Sequence, residues 1–178
     1  MIVTRTVTWM QRKSFGSMTC PIARGLDRVG EWWSILILRD AFAGMTRFDE
    51  FRASLGIAPG MLAKRLAALV EAGLLTRERY SARPPRDEYR LTARGLDFRP
   101  VLIAMLDWGN RHFAPEGATV MIVDSVTLRP AEPVLVDRAT GRRLTAPDFE
   151  LAAGPAAGEA TRRRLKSGGR LLHAGDTA

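Results

Sequence analysis

Positively charged side chains are concentrated in one stretch of the chain, where they could bind phosphate groups. These side chains are Lys64, Arg65, Arg77, Arg79, Arg83, Arg86, Arg90 and Arg94. The guanidinium fork of arginine matches phosphate oxygens and also fits narrow minor grooves of DNA. Between Arg77 and Arg90 only Glu78, Asp87 and Glu88 offset the charge. The pattern favours a nucleic-acid-binding surface over the alternative, an ordinary solvated charged face.

The first two of these cations lie in a segment with the pattern of an amphipathic helix, Pro59 to Glu71. Its apolar residues recur about every 3.6 residues and form one stripe, which consists of Leu62, Leu66, Leu69 and Val70. Pro59 suits the first helical position, and Gly73 suits the position just after the last turn. The opposite face carries small residues, which would let the helix approach base edges closely. The predicted DNA contacts on this helix are Pro59, Gly60, Met61, Lys64 and Arg65; the alternative is a plain surface helix.

The arginines that follow lie in a predicted β-hairpin. Leu74 to Tyr80 and Asp87 to Leu91 alternate as strands do, and Arg83-Pro84-Pro85-Arg86 separates them. Because proline cannot donate to a strand ladder, this tetrapeptide should form the tip. The predicted DNA contacts on the hairpin are Arg77, Arg79, Arg83 and Arg86.

Elements upstream should position both parts. Trp32 to Phe42 is apolar nearly all round, which predicts a buried central helix, and Gly44 should end it. Phe48 to Leu55 should form a short helix, and Gly56-Ile57-Ala58 a tight turn into the next helix. The predicted order of elements is helix, short helix, turn, helix and basic hairpin. This order predicts a winged helix–turn–helix, a mostly α fold with a small β-hairpin wing (α+β).

Several linked motifs give the chain a resemblance to a known family. They are C-P-I-A-R-G-L-D-R-V-G-E-W-W-S-I-L-I-L-R-D-A-F-A-G, R-F-D-E-F-R, G-I-A-P-G-M-L-A-K-R-L-A-A-L-V-E-A-G-L-L and Y-S-A-R-P-P-R-D-E-Y-R-L-T-A-R-G. From about Met10 to about Phe113 the chain resembles the HxlR-type transcriptional regulators of bacteria. The resemblance implies a homodimer, and a repressor is the expected activity. Its recognition helices, Pro59 to Glu71, would enter successive major grooves of a palindromic double-stranded DNA operator. At Gly60 many relatives have a polar residue, so a base contact there departs from the family pattern.

A long predicted helix from Ala93 to about Phe113 has more apolar surface than one domain face needs. Pro100 should kink this helix or mark a late start. We expect the surplus face to meet a second copy of the chain, because soluble monomers rarely expose a large apolar patch. The predicted dimer contacts are Leu102, Met105, Leu106 and Trp108. The alternative is that the C-terminal segment covers this face.

The single cysteine, Cys20, is the candidate sensor of an electrophile or oxidant. It precedes Pro21, which favours the first turn of a helix, so Cys20 should occupy the N-cap, where the thiolate is stabilised. The resembled family includes members that sense oxidants or quinones through a cysteine near this place. One alternative is an inert thiol. Another is a small-molecule effector bound in a pocket between the dimer helices, lined by Trp32, Trp33 and Trp108.

Length and charge suggest one core domain with appendages and an anionic partner. The chain has 178 residues and a formal net charge of +8. The predicted divisions are an N-terminal arm (1–18), the DNA-binding and dimerisation domain (19–114), a small β-rich extension (115–153) and a disordered basic tail (154–178).

The extension should contain short strands. These are Val120 to Val123, a hairpin of Pro133 to Asp137 with Arg142 to Leu144, and Phe149 to Leu151. Some members of the family have cysteine pairs in a comparable extension, but the turns here hold no Cys or His. Accordingly no metal or cofactor is expected.

Other functional classes lack a basis in the sequence. The histidines are His112 and His173, and no G-x-S-x-G motif, phosphate-binding glycine loop or metal-ligand spacing occurs. An enzyme is therefore not expected. Neither a membrane-spanning run nor a signal peptide is evident, so we expect a cytoplasmic protein that does not bind membranes. The alternative function is a winged-helix protein-interaction module without operator-specific DNA binding.

Overall fold

The computed structural model describes residues 20–166, which form seven helices and a two-stranded antiparallel sheet. In chain order these are α1 (Pro21–Val29), α2 (Trp32–Phe42), α3 (Phe48–Leu55), α4 (Pro59–Glu71), β1 (Leu75–Ala82), β2 (Pro85–Leu91), α5 (Ala93–Leu96), α6 (Arg99–Phe113) and α7 (Glu159–Lys166). The predicted mostly α winged helix–turn–helix is confirmed. The predicted bounds of α2, α3 and α4 agree with the structure.

The core lies where α2, α3 and α4 meet the base of the hairpin. Its fully buried large side chains are Phe51, Ile37, Leu38, Leu62, Leu66, Leu69 and Leu75. The leucine stripe of α4 therefore faces inward as predicted, and its opposite face is left to solvent. The expectation that α2 is buried all round was wrong at its first residue, because Trp32 is 72% exposed.

Two glycines let the chain turn sharply on either side of α4. Gly56 has a φ of +60° and ends α3, so the chain can turn into α4 within a few residues. Gly73 has a φ of +69° just after α4. There the N–H of Leu74 donates to the carbonyl of Leu69 at 2.9 Å, and β1 begins at the next residue.

The two strands form the wing, which is the hairpin β1–β2 with its tip at Arg83 and Pro84. Leu75 pairs with Leu91 at the base, and Ala82 pairs with Pro85 next to the tip. The predicted tip is confirmed, although Pro85 itself is the first residue of β2. A register shift between Arg79 and Ser81 leaves Tyr80 as an extra residue in β1, which is a β-bulge.

The long helix begins late, as Pro100 predicted. Thr92 caps the short helix α5 by accepting a hydrogen bond from the N–H of Gly95 at 3.0 Å, and α6 starts at Arg99 with Pro100 in its first turn. No residue of α6 is fully buried. The helix therefore lies at the surface of the described chain.

The extension consists of turns instead of the predicted strands. Single β-bridges join Val123 to Pro130 and Val136 to Arg143, and no ladder follows either bridge. The reason is that an aspartate closes each turn: Asp124 accepts from the N–H of Thr127 at 2.7 Å, and Asp137 accepts from the N–H of Thr140 at 3.0 Å. The side chains that suggested strand alternation lie on the arms of these Asp–Thr turns.

The predicted disordered tail does not begin at residue 154. Helix α7 occupies Glu159–Lys166, and an ion pair one turn apart between Glu159 and Arg163 (3.3 Å) supports it. The predicted N-terminal arm and the remainder of the tail, residues 167–178, lie outside the described residues.

Candidate nucleic-acid interface

Helix α4 presents a smooth exposed face with one long cation. Pro59, Gly60, Met61, Lys64 and Ala67 are all exposed, while the leucine stripe on the other side is buried. Ala63 lies between them on the same side. A helix with such small side chains can approach base edges closely, and the Lys64 ammonium can reach a guanine or a phosphate.

Arg65, predicted to contact DNA, is engaged inside the protein. Its Nη2 lies 3.0 Å from Oε2 of Glu31, and its side chain is only 16% exposed. Its Nε is buried. The position on the helix explains this correction, because Arg65 flanks the buried stripe where α4 packs against α1 and α2. Glu31 could not be predicted as the partner, because it lies far from Arg65 along the chain.

Two of the four predicted wing arginines share one carboxylate. Arg77 donates from Nε to Oδ2 of Asp87 at 2.9 Å and also through Nη2, and Arg79 donates from Nε to Oδ1 at 3.1 Å. The hydrogen bonds from Arg77 and then Arg79 lower the pKa of Asp87, and the same carboxylate raises the pKa of Arg77. Both guanidinium groups remain more than half exposed, so they can still contact phosphate while Asp87 fixes their orientation.

The other two predicted wing arginines, Arg83 and Arg86, lie at the tip and are exposed. Neither forms an ion pair with another residue in the range 20–166. Their charge is therefore available to a partner, which makes the tip the least neutralised part of the wing.

An open cleft of about 1030 Å³ separates the wing from α4. Ala63, Ala67 and Val70 line one wall, and the wing residues Arg77, Tyr80 and Tyr89 line the other. Arg47, just before α3, places its guanidinium carbon 5.0 Å from the centre of the Tyr80 ring. The sequence analysis did not single out Arg47 or Tyr80, although both fall within the motifs R-F-D-E-F-R and Y-S-A-R-P-P-R that carry the family resemblance.

The predicted dimer residues separate into two groups. Leu102 packs against the core of its own chain, and Leu106 lines a groove that the extension forms with α6. Met105 and Trp108 are 45% and 54% exposed. The extension therefore covers part of the surplus face of α6, as the alternative predicted, and leaves the strip with Met105 and Trp108 open.

Cys20 occupies the N-cap of α1, as predicted, with extended backbone angles. Its side chain forms no complete capping hydrogen bond. The backbone N–H of Ala23 nevertheless lowers the pKa of the thiol, with smaller contributions from the N–H of Ile22 and the side chain of Arg164, against the opposing effect of partial burial. Arg164 of α7 is therefore the basic side chain that contributes to this shift.

A family model described as HxlR-like helix-turn-helix matches residues 28–117, about half of the chain and the whole unit from the end of α1 to just beyond α6. The chain belongs to this family. Its members are DNA-binding transcriptional regulators, and this protein is one of them.

Individual relatives agree with the assignment. An uncharacterized HTH-type transcriptional regulator of Mycobacterium tuberculosis, Rv3095, is 38% identical over 135 residues, which cover 75% of this chain and 85% of the relative. A solved structure of a candidate transcription factor from Pseudomonas aeruginosa, PA1374, is 55% identical with a TM-score of 0.60, and it covers 82% of this chain and 100% of that one. The crystal structure of PA1607, also a candidate transcription factor, is 40% identical with a TM-score of 0.69, and it covers 78% of this chain and 98% of that one.

Among residues 20–166, the structure has neither a metal-binding cluster of side chains nor a single helix that could cross a membrane. There, no three His, Cys, Asp or Glu side chains are grouped to hold a metal ion. No single described helix is long and apolar enough to cross a membrane. Only α3 and α4 taken together pass on length and composition, and they meet at 119° with their apolar faces in the core.

Proposed function

We propose that this HxlR-family regulator is a cytoplasmic homodimer that binds a palindromic operator in double-stranded DNA and represses transcription there. Each protomer would place α4 in a major groove and its wing tip against the neighbouring minor groove. Lys64 would contact bases or phosphate from α4, and Arg83 and Arg86 would contact the backbone or the minor groove from the wing.

The observation that carries the proposal is the pairing of two surfaces on one side of the molecule. The exposed face of α4 is built from small residues around Lys64, and the neighbouring wing ends in two arginines without ion-pair partners among the described residues. A protein-interaction module would not require this combination of a smooth helix and a cationic tip.

Exposed apolar side chains on α6 support the homodimer. Val101, Met105 and Trp108 lie on successive turns of one helix face and are each about half exposed. Ile22 and Leu26 of α1 are also exposed. Two-fold pairing of such a surface would bury it and would match the symmetry of a palindrome.

The test is fluorescence anisotropy on the DNA upstream of the protein's own gene, against a scrambled duplex of equal length at fixed salt. We expect a preference for the native sequence of about 10³-fold or more. The variant Arg83→Ala/Arg86→Ala should weaken binding and lower the slope of log Kd against log salt concentration. Arg129→Ala/Arg138→Ala, which removes two exposed arginines of the extension, is the charge-matched control and should leave the slope unchanged.

The outcomes separate the two functional classes. Equal binding to both duplexes would show that this DNA holds no operator or that the protein recognises only backbone charge. Absence of binding to either duplex would contradict the proposal and favour the protein-interaction module.

In a transcription assay on the bound promoter, added protein should reduce the amount of transcript. An increase would contradict repression.

A thiol switch at Cys20 is a second proposal, favoured by the lowered pKa of that side chain. Oxidation or alkylation at the N-cap of α1 would change a helix that carries part of the exposed apolar surface. Diamide or a quinone should then weaken operator binding by the wild type and not by Cys20→Ser.

A response that survives this substitution would indicate a small-molecule effector instead. Such an effector would bind between the helices of the dimer, where Trp32 and Trp33, whose ring centres are 6.0 Å apart, and Trp108, which lies 4.8 Å from Phe113, would supply aromatic surface.

A further inference from the structure

The β-bulge in the wing changes the side on which Tyr80 lies. Arg79 pairs with Asp87 and Ser81 pairs with Arg86, so Tyr80 has no partner in the register. In a regular strand Tyr80 would share a face with Glu78 and oppose the face of Arg77 and Arg79. The extra residue instead lets Tyr80 join Arg77, Asp87 and Tyr89 along the cleft that faces α4.

Arg47 meets Tyr80 from the other side of this cleft. Its guanidinium carbon lies 5.0 Å from the ring centre, which is a cation–π contact. The backbone of Arg47 is fixed, because the N–H groups of Thr46 and Arg47 both donate to Oε2 of Glu50 at 2.9 Å. This contact therefore joins a fixed point at the start of α3 to the outer half of the wing.

The inner half of the wing is attached to the same segment through the backbone. The N–H of Tyr89 donates to the carbonyl of Thr46 at 2.7 Å, and Arg47 forms a β-bridge with Glu88. Beyond this point the strands continue for a few residues to the tip at Arg83 and Pro84. The contact between Arg47 and Tyr80 lies further from the base of the wing than these backbone bonds, and it links the same segment to the wing through side chains.

We infer that Arg47 and Tyr80 form a wing latch: a pair of positioning residues that holds the wing tip at a set distance from the recognition helix α4 and so fixes the spacing between the two DNA contacts. The inference rests on the proposed function. The latch acts through Arg83 and Arg86 and does not itself touch DNA.

The charge of the cleft favours positioning over a direct phosphate contact. Asp49, Glu50, Glu71 and Asp87 all line it together with Arg47, Arg77 and Arg86, so the carboxylates are in excess. Near Arg47 a phosphate would therefore meet carboxylates such as Asp49 and Glu50, whereas a cation stacked on a tyrosine ring is compatible with them.

A latch is physically necessary because a two-stranded ribbon has little stability of its own. A wing that moved freely would lose conformational entropy each time it bound DNA, and this entropic cost would weaken the binding. Holding the ribbon before DNA arrives removes most of this loss. The latch thus explains how the exposed tip arginines can contribute to binding.

The test compares Tyr80→Ala with Tyr80→Phe, which keeps the ring and its contact with Arg47. On the operator, Tyr80→Ala should raise Kd by about fivefold, while Tyr80→Phe should stay within about twofold of the wild type. The slope of log Kd against log salt concentration should also be smaller for Tyr80→Ala than for the wild type, by about one to two per protomer, because contacts of the wing tip with phosphate are lost. Hydroxyl-radical footprints should lose protection only in the minor groove next to the site of α4.

A double-mutant cycle tests the route of the effect. In the Arg83→Ala/Arg86→Ala background, Tyr80→Ala should cause no further loss, because the latch acts through those arginines. Additive losses would overturn the inference, as would an unchanged Kd and footprint for Tyr80→Ala. If Tyr80→Ala does not fold, Arg47→Met provides the same comparison from the other side of the contact.

Hydrogen exchange without DNA separates this inference from the proposed function. The amides of Arg79 to Arg83 and of Arg86 should exchange faster in Tyr80→Ala than in Tyr80→Phe, while those of α4 remain unchanged. This result would support the latch even if the wild type showed no operator preference. Equal exchange in the two variants would overturn the latch even if the operator binds as proposed.

Discussion

The guanidinium group of Arg65 and the carboxylate of Glu31 lie 3.0 Å apart and join the recognition helix α4 to the residue that precedes α2. Both side chains are largely buried, with 16% and 26% of their surfaces exposed. Lys64, the preceding residue, faces solvent on the predicted DNA side. Two neighbouring cations that look equivalent in the sequence therefore have different surroundings: Arg65 is held by Glu31, and Lys64 is exposed on the side that we propose binds DNA.

Substitution of these neighbours should separate stability from DNA affinity. Arg65→Ala should lower the free energy of unfolding by about 1 to 3 kcal/mol, because it breaks a largely buried ion pair. Lys64→Ala should leave stability nearly unchanged, since the residue is exposed, and should weaken operator binding. Urea unfolding and anisotropy on the same preparations measure the two effects. If Arg65→Ala unfolded like the wild type, the pair with Glu31 would not orient α4.

The parts of the fold that depend on local pattern could be predicted from the sequence. The bounds of α2, α3 and α4 follow from apolar periodicity, from glycines that can adopt positive φ and from Pro59 at a helix start. Pro100 likewise indicated the late start of α6. Each of these signals acts within a few residues of its effect.

Features that depend on distant partners could not be predicted in the same way. The pairing of Arg65 with Glu31 requires the packing of α4 against the start of α2, and periodicity does not specify which flank residue turns inward. The bulge at Tyr80 depends on the register of β1 against β2. In the extension, strand-like alternation was outweighed by the hydrogen bonds of Asp124 and Asp137, which close each turn after one bridge.

In the two Asp–Thr turns of the extension, the residue that follows the threonine differs, and this difference should affect stability. Leu128 has a φ of +56° where the second turn has Gly141 at +68°. Leu128→Gly should stabilise the protein by about 1 kcal/mol or slightly less, because a left-handed conformation is strained for leucine and not for glycine. Little packing would be lost, since Leu128 is 71% exposed.

Gly141→Ala is the matched control. A Cβ at this position would meet no atom within 4 Å, so only the positive φ opposes the substitution. It should destabilise the protein by about 1 kcal/mol. Urea unfolding of both variants checks the pair of expectations; destabilisation by Leu128→Gly would show that the exposed leucine makes a stabilising contact.

Reactivity of Cys20 should depend on pH in a way that reflects its lowered pKa. The N–H of Ala23 is the main cause that lowers it, and Arg164 assists. Because the thiolate is the nucleophile, iodoacetamide should alkylate the native protein with a midpoint at lower pH than it alkylates the protein in urea. Arg164→Gln should move the native midpoint upward.

The same shift has a consequence for stability. A group whose pKa is lowered on folding adds stability above its unfolded pKa and loses this contribution as the pH falls through the folded pKa. The wild type should therefore gain stability relative to Cys20→Ser as the pH rises through that interval. Coincident alkylation profiles in the native and unfolded states would contradict both expectations. The chain has one cysteine, so the alkylation signal has a single source.

The open strip on α6 predicts how a charged substitution should change the oligomeric state. Met105→Glu would place a carboxylate at the centre of the proposed interface, where burial without a partner is unfavourable. Sedimentation velocity should show a dimer for the wild type and a monomer for this variant at micromolar concentration. Because Met105 is 45% exposed in the single chain, the fold should tolerate the change.

Val126→Glu is the matched control for the same substitution, since Val126 is 87% exposed at a turn of the extension. It should remain a dimer. If both variants remained dimeric, pairing would not occur through the α6 strip, and the exposed side chains of α1 would be the next surface to substitute. If both became monomeric, the extension would belong to the interface. Operator affinity should fall together with dimerisation in whichever variant is monomeric, because a palindrome is bound tightly only when both half-sites are occupied at once.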